Sequence, residues 1–133
     1  MQLSPADLVA SYDGAWSRTD FDALSRLWVR SDPDPVYIGD EYAEPQVGAD
    51  ALDRHWGRLS ARVRSASMRS EVRRADVLDG GVVRCVLLSR WRLTTRGPGG
   101  AGDGASWVSW LLVPRARGLR IAMHMESEIN VPK

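Results

Sequence analysis

The sequence predicts an α+β domain, with three N-terminal helices laid on one face of an antiparallel sheet. Three observations predict it. Apolar residues recur at helical spacing as far as residue 59 or so. From Val63 the chain turns to long runs rich in Val, Arg, Ser and Thr, and those runs are broken by glycine and proline clusters at intervals that suit hairpins. At 133 residues the chain has the length of one domain, read here as spanning 1–133.

The first helix opens at Ser4-Pro5-Ala6-Asp7, where Ser4 is an N-cap, Pro5 suits the first helical position and Asp7 favours the positive end of the helix dipole. Leu8, Val9, Tyr12, Ala15 and Trp16 then mark one buried face to about Ser17. Thr19-Asp20 caps a second helix carrying Phe21, Leu24, Leu27 and Trp28, which the spacing extends to about Arg30. Asp32-Pro33-Asp34-Pro35 stops it, because each proline lacks an N–H and restricts the residue before it. Val36-Tyr37-Ile38 reads as a short strand ending at Gly39, and Gly48-Ala49-Asp50 opens a third helix with Leu52, His55, Trp56 and Leu59. Breaks at Asp79-Gly80-Gly81, Gly97 to Gly104 and Pro114 to Gly118 divide the remainder into a four-stranded meander. In the last strand Leu119, Ile121, Met123, Met125, Ser127 and Ile129 alternate with Arg120, Ala122, His124, Glu126, Glu128 and Asn130, which predicts one apolar and one polar face.

Composition excludes several classes. Eighteen Lys and Arg against 17 Asp and Glu leave a net charge of +1, so nothing draws the protein to nucleic acid or an acidic membrane. The arginines around Trp91 and the cluster Arg69, Arg73 and Arg74 read as a solvated strand face, and the glycine-rich stretch Gly97–Gly104 lacks the Lys-Ser/Thr ending of a phosphate loop. The one cysteine, Cys85, sits in an apolar run and reads as a core residue. The start lacks a basic segment followed by an apolar one, and no apolar run reaches about 18 residues, so a cytoplasmic protein is expected. The two histidines are too far apart for a recognisable metal spacing, and no metal or cofactor is expected. Six tryptophans beside one phenylalanine are unusual, and they suit either a core or the walls of an apolar pocket.

Several segments carry a resemblance. Trp16–Leu24 with Leu27-Trp28, then Val36–Asp40, then Val47-Gly48 leading to Ala51-Leu52 and His55-Trp56, and the closing run Gly118–Ser127 are similar to the nuclear transport factor 2-like superfamily. The likeness is to its SnoaL-like and ketosteroid-isomerase-like members and covers nearly the whole chain. The resemblance implies a cone-shaped, cystatin-like α+β barrel whose strongly curved sheet wraps the helices around one deep apolar pocket, and a homodimer through the outer sheet face. In that family a helix-one tyrosine falls on Tyr12 here, and a general-base aspartate falls near Gly39 or Asp40. No acid stands on the later strand, where this chain has Ser109 and Trp110.

The expected function is a cofactor-independent cyclase or isomerase acting on a hydrophobic, polyketide-like small molecule. Asp40, just beyond the first strand, would move a proton, and Tyr12 would stabilise developing charge on oxygen. Trp16, Trp28, Tyr37, His55, Trp56, Trp107, Ser109, Met123 and Met125 are expected to line the pocket. This set rests on a hairpin register in which Trp107 and Ser109 share a face with Met125 and Met123. A slip of one residue would bring in Val108 and Trp110 instead. His55 reads as a partly exposed helical histidine, and His124, on the polar side of the last strand, is expected on the outer surface. The alternative is a non-catalytic ligand-binding or dimeric interaction module of the same fold, and the number of ionisable groups that point inward discriminates between the two.

Overall fold

The computed structural model describes residues 4–129, so Asn130 of the expected final strand lies outside the described residues. Helix α1 (Pro5–Ser17) opens on a reciprocal cap: the Ser4 hydroxyl accepts the Asp7 amide at 3.2 Å, while the Asp7 carboxylate accepts the Ser4 amide at 3.3 Å. Helix α2 (Phe21–Ser25), capped by Asp20, is shorter than its apolar spacing suggests. The chain leaves the helix after Ser25, and Trp28 pairs with Ile121 of the last strand. The Val29 amide donates to the Ile121 carbonyl at 2.9 Å, and the Ile121 amide to the Leu27 carbonyl at 2.8 Å. Two sheet hydrogen bonds replace another helical turn and carry the Trp28 ring inward.

Strands β1 (Val36–Ile38) and β2 (Gln46–Val47) precede α3 (Ala49–Arg62), after which come β3 (Val63–Val77), β4 (Val83–Thr95), β5 (Ala101–Arg115) and β6 (Gly118–Glu128). The sheet order is β2-β1-β6-β5-β4-β3. The meander is antiparallel as expected, but β1 pairs with β6 in parallel, so the sheet is mixed. The sheet curves round the helices into a cone. Asp13 of α1 accepts the Ser70 amide and hydroxyl of β3 at 2.7 and 2.8 Å, tying helix to sheet. The core between them holds Leu8, Leu24, Leu87, Leu112, Ile121 and Trp110, all 1% exposed or less.

The faces of β6 differ from the sequence expectation. Leu112 pairs with Ile121, yet Leu111 pairs with Met123, so Ala122 is an extra residue in the ladder. This bulge moves every later side chain to the opposite face. Ile121 points inward, and three residues on so does His124, only 2% exposed, instead of lying on the outer surface. Met125 is 43% exposed on the outside, Met123 shares that face, and their cross-strand partners Ser109 and Leu111 face outward with Trp107, which is 42% exposed. Trp107, Ser109, Met123 and Met125 therefore lie outside the cone, and Val108 and Trp110 take the inner positions.

Candidate functional site

The interior of the cone holds a polar cluster walled by aromatic rings. On β5 the buried Trp110 indole N–H donates to Nδ1 of His124 at 2.9 Å. A ring nitrogen that accepts carries no proton, so the His124 proton sits on Nε2 and donates to Oε1 of Glu126 at 2.9 Å. His124 is thus a neutral imidazole with a fixed tautomer, oriented from one side by an indole and bonded on the other to a carboxylate. The side chains of β6 alternate, and the bulge puts His124 and Glu126 two residues apart on the same inward face.

Tyr37 comes from β1, which pairs with β6 so that Tyr37 lies beside His124. Its ring stacks on the imidazole with centroids 4.9 Å apart. Its hydroxyl meets Oε1 of Glu126 at 2.8 Å and Oε1 of Glu41 at 2.6 Å. One phenolic proton faces two carboxyl groups, so both contacts are full hydrogen bonds only when the trio holds a second proton. Gly39 makes the arrangement possible: a Cβ there would stand 2.6 Å from the Tyr37 ring and 2.8 Å from the Glu41 carboxylate. Burial and the two nearby carboxyl groups hold the Tyr37 hydroxyl protonated well above the usual tyrosine range. Burial also acts to raise Glu126, but the hydrogen bonds from His124 and Tyr37 outweigh it and hold this carboxyl below its usual range.

A second set closes over the first. His55 on α3 is 1% exposed, not partly exposed as its helical position suggested, and its Nδ1 lies 2.6 Å from the Tyr42 hydroxyl. Arg58, one turn on, donates to that oxygen through Nε and Nη2 at 3.0 and 2.8 Å. With both bonds received, the hydroxyl proton goes to His55, which is therefore neutral. Burial, helped by the Arg58 charge, pushes His55 down to about 4. The His55 ring lies 4.3 Å from Tyr37, so the two sets are continuous.

Of the other expected residues, Tyr12 is buried with its ring edge-on to Trp110 at 5.0 Å, and burial raises its hydroxyl pKa. Trp28 packs against Trp56, Tyr37 and His124 at 6.1 to 6.4 Å, and Trp16 packs on Phe21. Asp40 stands at the rim: it is exposed, and its carboxylate accepts the Glu128 amide at 2.9 Å, fastening the loop after β1 to the end of β6. The cluster is packed shut. Tyr12, Trp28, Tyr37, His55, Trp56 and His124 are each at most 8% exposed, and the way out runs past the partly exposed Glu126 and Tyr42 and the exposed Glu41. Open concavities lie elsewhere, one of about 470 Å³ between α2 and α3 beside Asp20 and Asp53, another of about 800 Å³ beside Arg69, Arg90 and Arg92.

The structure brings the expected residues Tyr12, Trp28, Tyr37, His55 and Trp56 together as neighbours in space. Sequence reasoning missed Glu126, Tyr42, Arg58 and the inward turn of His124. The available signal was the His124-x-Glu126 pair on the closing strand, an imidazole and a carboxyl spaced to share one face. Among the described residues no three His, Cys, Asp or Glu side chains gather as a metal site, and no helix is long and apolar enough to cross a membrane.

No protein-family profile and no curated protein matches the sequence. Solved structures do. A ketosteroid isomerase-like protein from Erwinia carotovora atroseptica superposes with a TM-score of 0.80 at 19% identity, over 95% of this chain and 94% of its own. A candidate scytalone dehydratase from Novosphingobium aromaticivorans gives 0.82 at 10% identity, over 94% and 81%. A protein from Thiobacillus denitrificans, described as a candidate calcium/calmodulin-dependent protein kinase type II association domain, gives 0.76 at 17%, over 98% of both chains. The fold is the nuclear transport factor 2-like cone. At these identities the likeness fixes the fold and leaves the chemistry to the site.

Proposed function

We propose that the protein is a cofactor-independent acid/base enzyme, an isomerase or cyclase of a hydrophobic, polyketide-like small molecule. The observation that carries this reading is the Trp110–His124–Glu126–Tyr37 chain, a neutral imidazole and a carboxylate fixed in an aromatic interior. Five ionisable side chains point inward there, Tyr12, Tyr37, His55, His124 and Glu126, more than packing alone calls for. Glu126 is the base: it takes a proton from a carbon beside a carbonyl, and the electron pair moves onto the carbonyl oxygen. Tyr37, kept protonated by its surroundings, donates to that oxygen. Return of the proton to a different carbon completes an isomerisation, and attack by the enolate on a second carbonyl completes a cyclisation. Asp40 has a positioning role, holding the loop that carries Glu41 and Tyr42. Proton transfer agrees with the names of the isomerase-like and dehydratase neighbours.

The second reading, a non-catalytic interaction module, draws on the contact of Trp28 with Trp56 that fills the interior, and on the neighbour described as an association domain. Deuterium uptake separates the two. In D₂O the protein should exchange the acidic C–H of 2-tetralone faster than buffer does, and Glu126→Gln should lower that rate about 100-fold or more. Exchange no faster than buffer, or a Glu126→Gln variant as fast as the parent, refutes the acid/base reading and leaves the module.

The outer sheet face, with Trp107 and Met125 exposed beside Leu111 and Met123, supports a homodimer through that face. A cytoplasmic setting suits a chain whose one cysteine, Cys85, is buried and unpaired. Balanced charge supports neither nucleic acid nor membrane as a partner.

A further inference from the structure

Trp28 is 5% exposed, and its indole Nε1 is a buried side-chain polar atom without a hydrogen-bond partner among the described residues. Around it Trp110 is bonded to His124, His124 to Glu126, Tyr37 to Glu126 and Glu41, and Tyr42 to His55. A buried donor left unpaired is disfavoured, and an N–H directed at a neighbouring ring is a second-order substitute. The orphan is also well placed. Sheet bonds to Ile121 hold the Trp28 backbone, and its ring lies 6.1 to 6.4 Å from His124, Trp56 and Tyr37.

We infer that the Trp28 indole N–H is the recognition donor for an acceptor oxygen on the ligand, which selects flat, apolar molecules bearing a carbonyl over hydrocarbons of the same shape. The inference rests on the interior being the ligand site, as proposed above, and adds the polar group by which that site tells ligands apart. An indole N–H donates and cannot accept, so an ammonium gains nothing from it. Glu126, bonded to the His124 that Trp28 packs on, accepts and so favours a donor or an acidic C–H on the ligand. The ligand class is therefore a planar ketone, enone or quinone methide with its oxygen at Trp28. Bound there, the oxygen satisfies the one fully buried side-chain donor that the described residues leave bare.

The test uses two probes of equal shape, 2-acetylnaphthalene and 2-isopropenylnaphthalene, in which C=O replaces C=CH₂. Titrated into the full chain, the ketone should bind about tenfold more tightly than the alkene, the worth of one hydrogen bond to a donor otherwise unpaired. Trp28→Phe should erase that ratio while changing the alkene Kd less than about threefold, and without ligand it should unfold no earlier than the loss of ring volume dictates. If Trp28→Phe does not fold, the wild-type spectrum decides: one of the six indole N–H resonances should move downfield with the ketone and stay put with the alkene. Equal affinities, a ratio unchanged in the variant, or no binding of either probe overturns the inference. Ketone selectivity lost in Trp28→Phe with no deuterium exchange by the parent would sink the catalytic reading and leave this one standing. Exchange without ketone selectivity would do the reverse.

Discussion

Replacing His55 by asparagine should flatten the response of the protein to acid. The imidazole pKa falls from 6.5 to about 4 because the ring is buried, 1% exposed, and the Arg58 charge sits one turn away. Glu126 opposes the fall. Between those two pH values the unfolded chain binds a proton that the folded protein refuses, so stability must rise with pH across the window and be lost as the pH falls through it. The full drop corresponds to about 3 kcal/mol, and a descent from about pH 7 to about pH 4.5 samples roughly 2.5 kcal/mol of it. Asparagine places a carbonyl oxygen near the site of Nδ1, so the Tyr42 hydroxyl keeps an acceptor while the titration disappears. Urea unfolding of both proteins at the two pH values gives the answer. The parent should lose about 2.5 kcal/mol more than His55→Asn on acidification. Parallel losses would show that His55 is not held neutral by its burial, and the tautomer assigned through Tyr42 would go with it.

Two further outcomes follow from the geometry. Gly39→Ala should drive Tyr37 and Glu41 apart and cost about 1 to 3 kcal/mol in thermal unfolding, since its Cβ would stand 2.6 Å from the ring; an unchanged Tm would mean that the contact is slack. Trp107→Ser with Met125→Ser should turn the proposed dimer into a monomer in sedimentation while leaving the Tm of the dilute protein nearly unchanged, and a species of unaltered mass would place the interface elsewhere.

The helices were legible because their signals are local. Ser4, Pro5 and Asp7 mark the start of α1, where Ser4 and Asp7 cap each other's amides within four residues of chain, and the spacing of Leu8, Val9, Tyr12 and Ala15 reports the buried side directly. The end of α2 was not, because Leu27 and Trp28 continue the helical spacing while a distant strand, at Ile121, claims their backbone. The same non-locality hid the site. Polar residues alternating on a strand normally mark water, and here His124 and Glu126 face inward because Trp110 and Tyr37, on two other strands, supply their hydrogen bonds. The methionines that looked like pocket wall cover the outside of the sheet. Asp40 was placed correctly at the end of β1, but which way a loop acid turns depends on the amide it finds, in this case that of Glu128.

The single extra residue at Ala122 has a bearing on how such proteins diverge. Because Ala122 is the extra residue, deleting it would leave Met123 opposite Leu111 and His124 and Glu126 inward; closing the bulge with every residue kept would instead turn Met123 and Met125 into the cone and His124 and Glu126 outward, exchanging a polar interior for a thioether one. A one-residue shift of strand register, not a run of substitutions, is then enough to convert a greasy binding chamber into a proton-handling one. An alignment of this strand that ignores the bulge pairs every residue after it with the wrong face of its relatives.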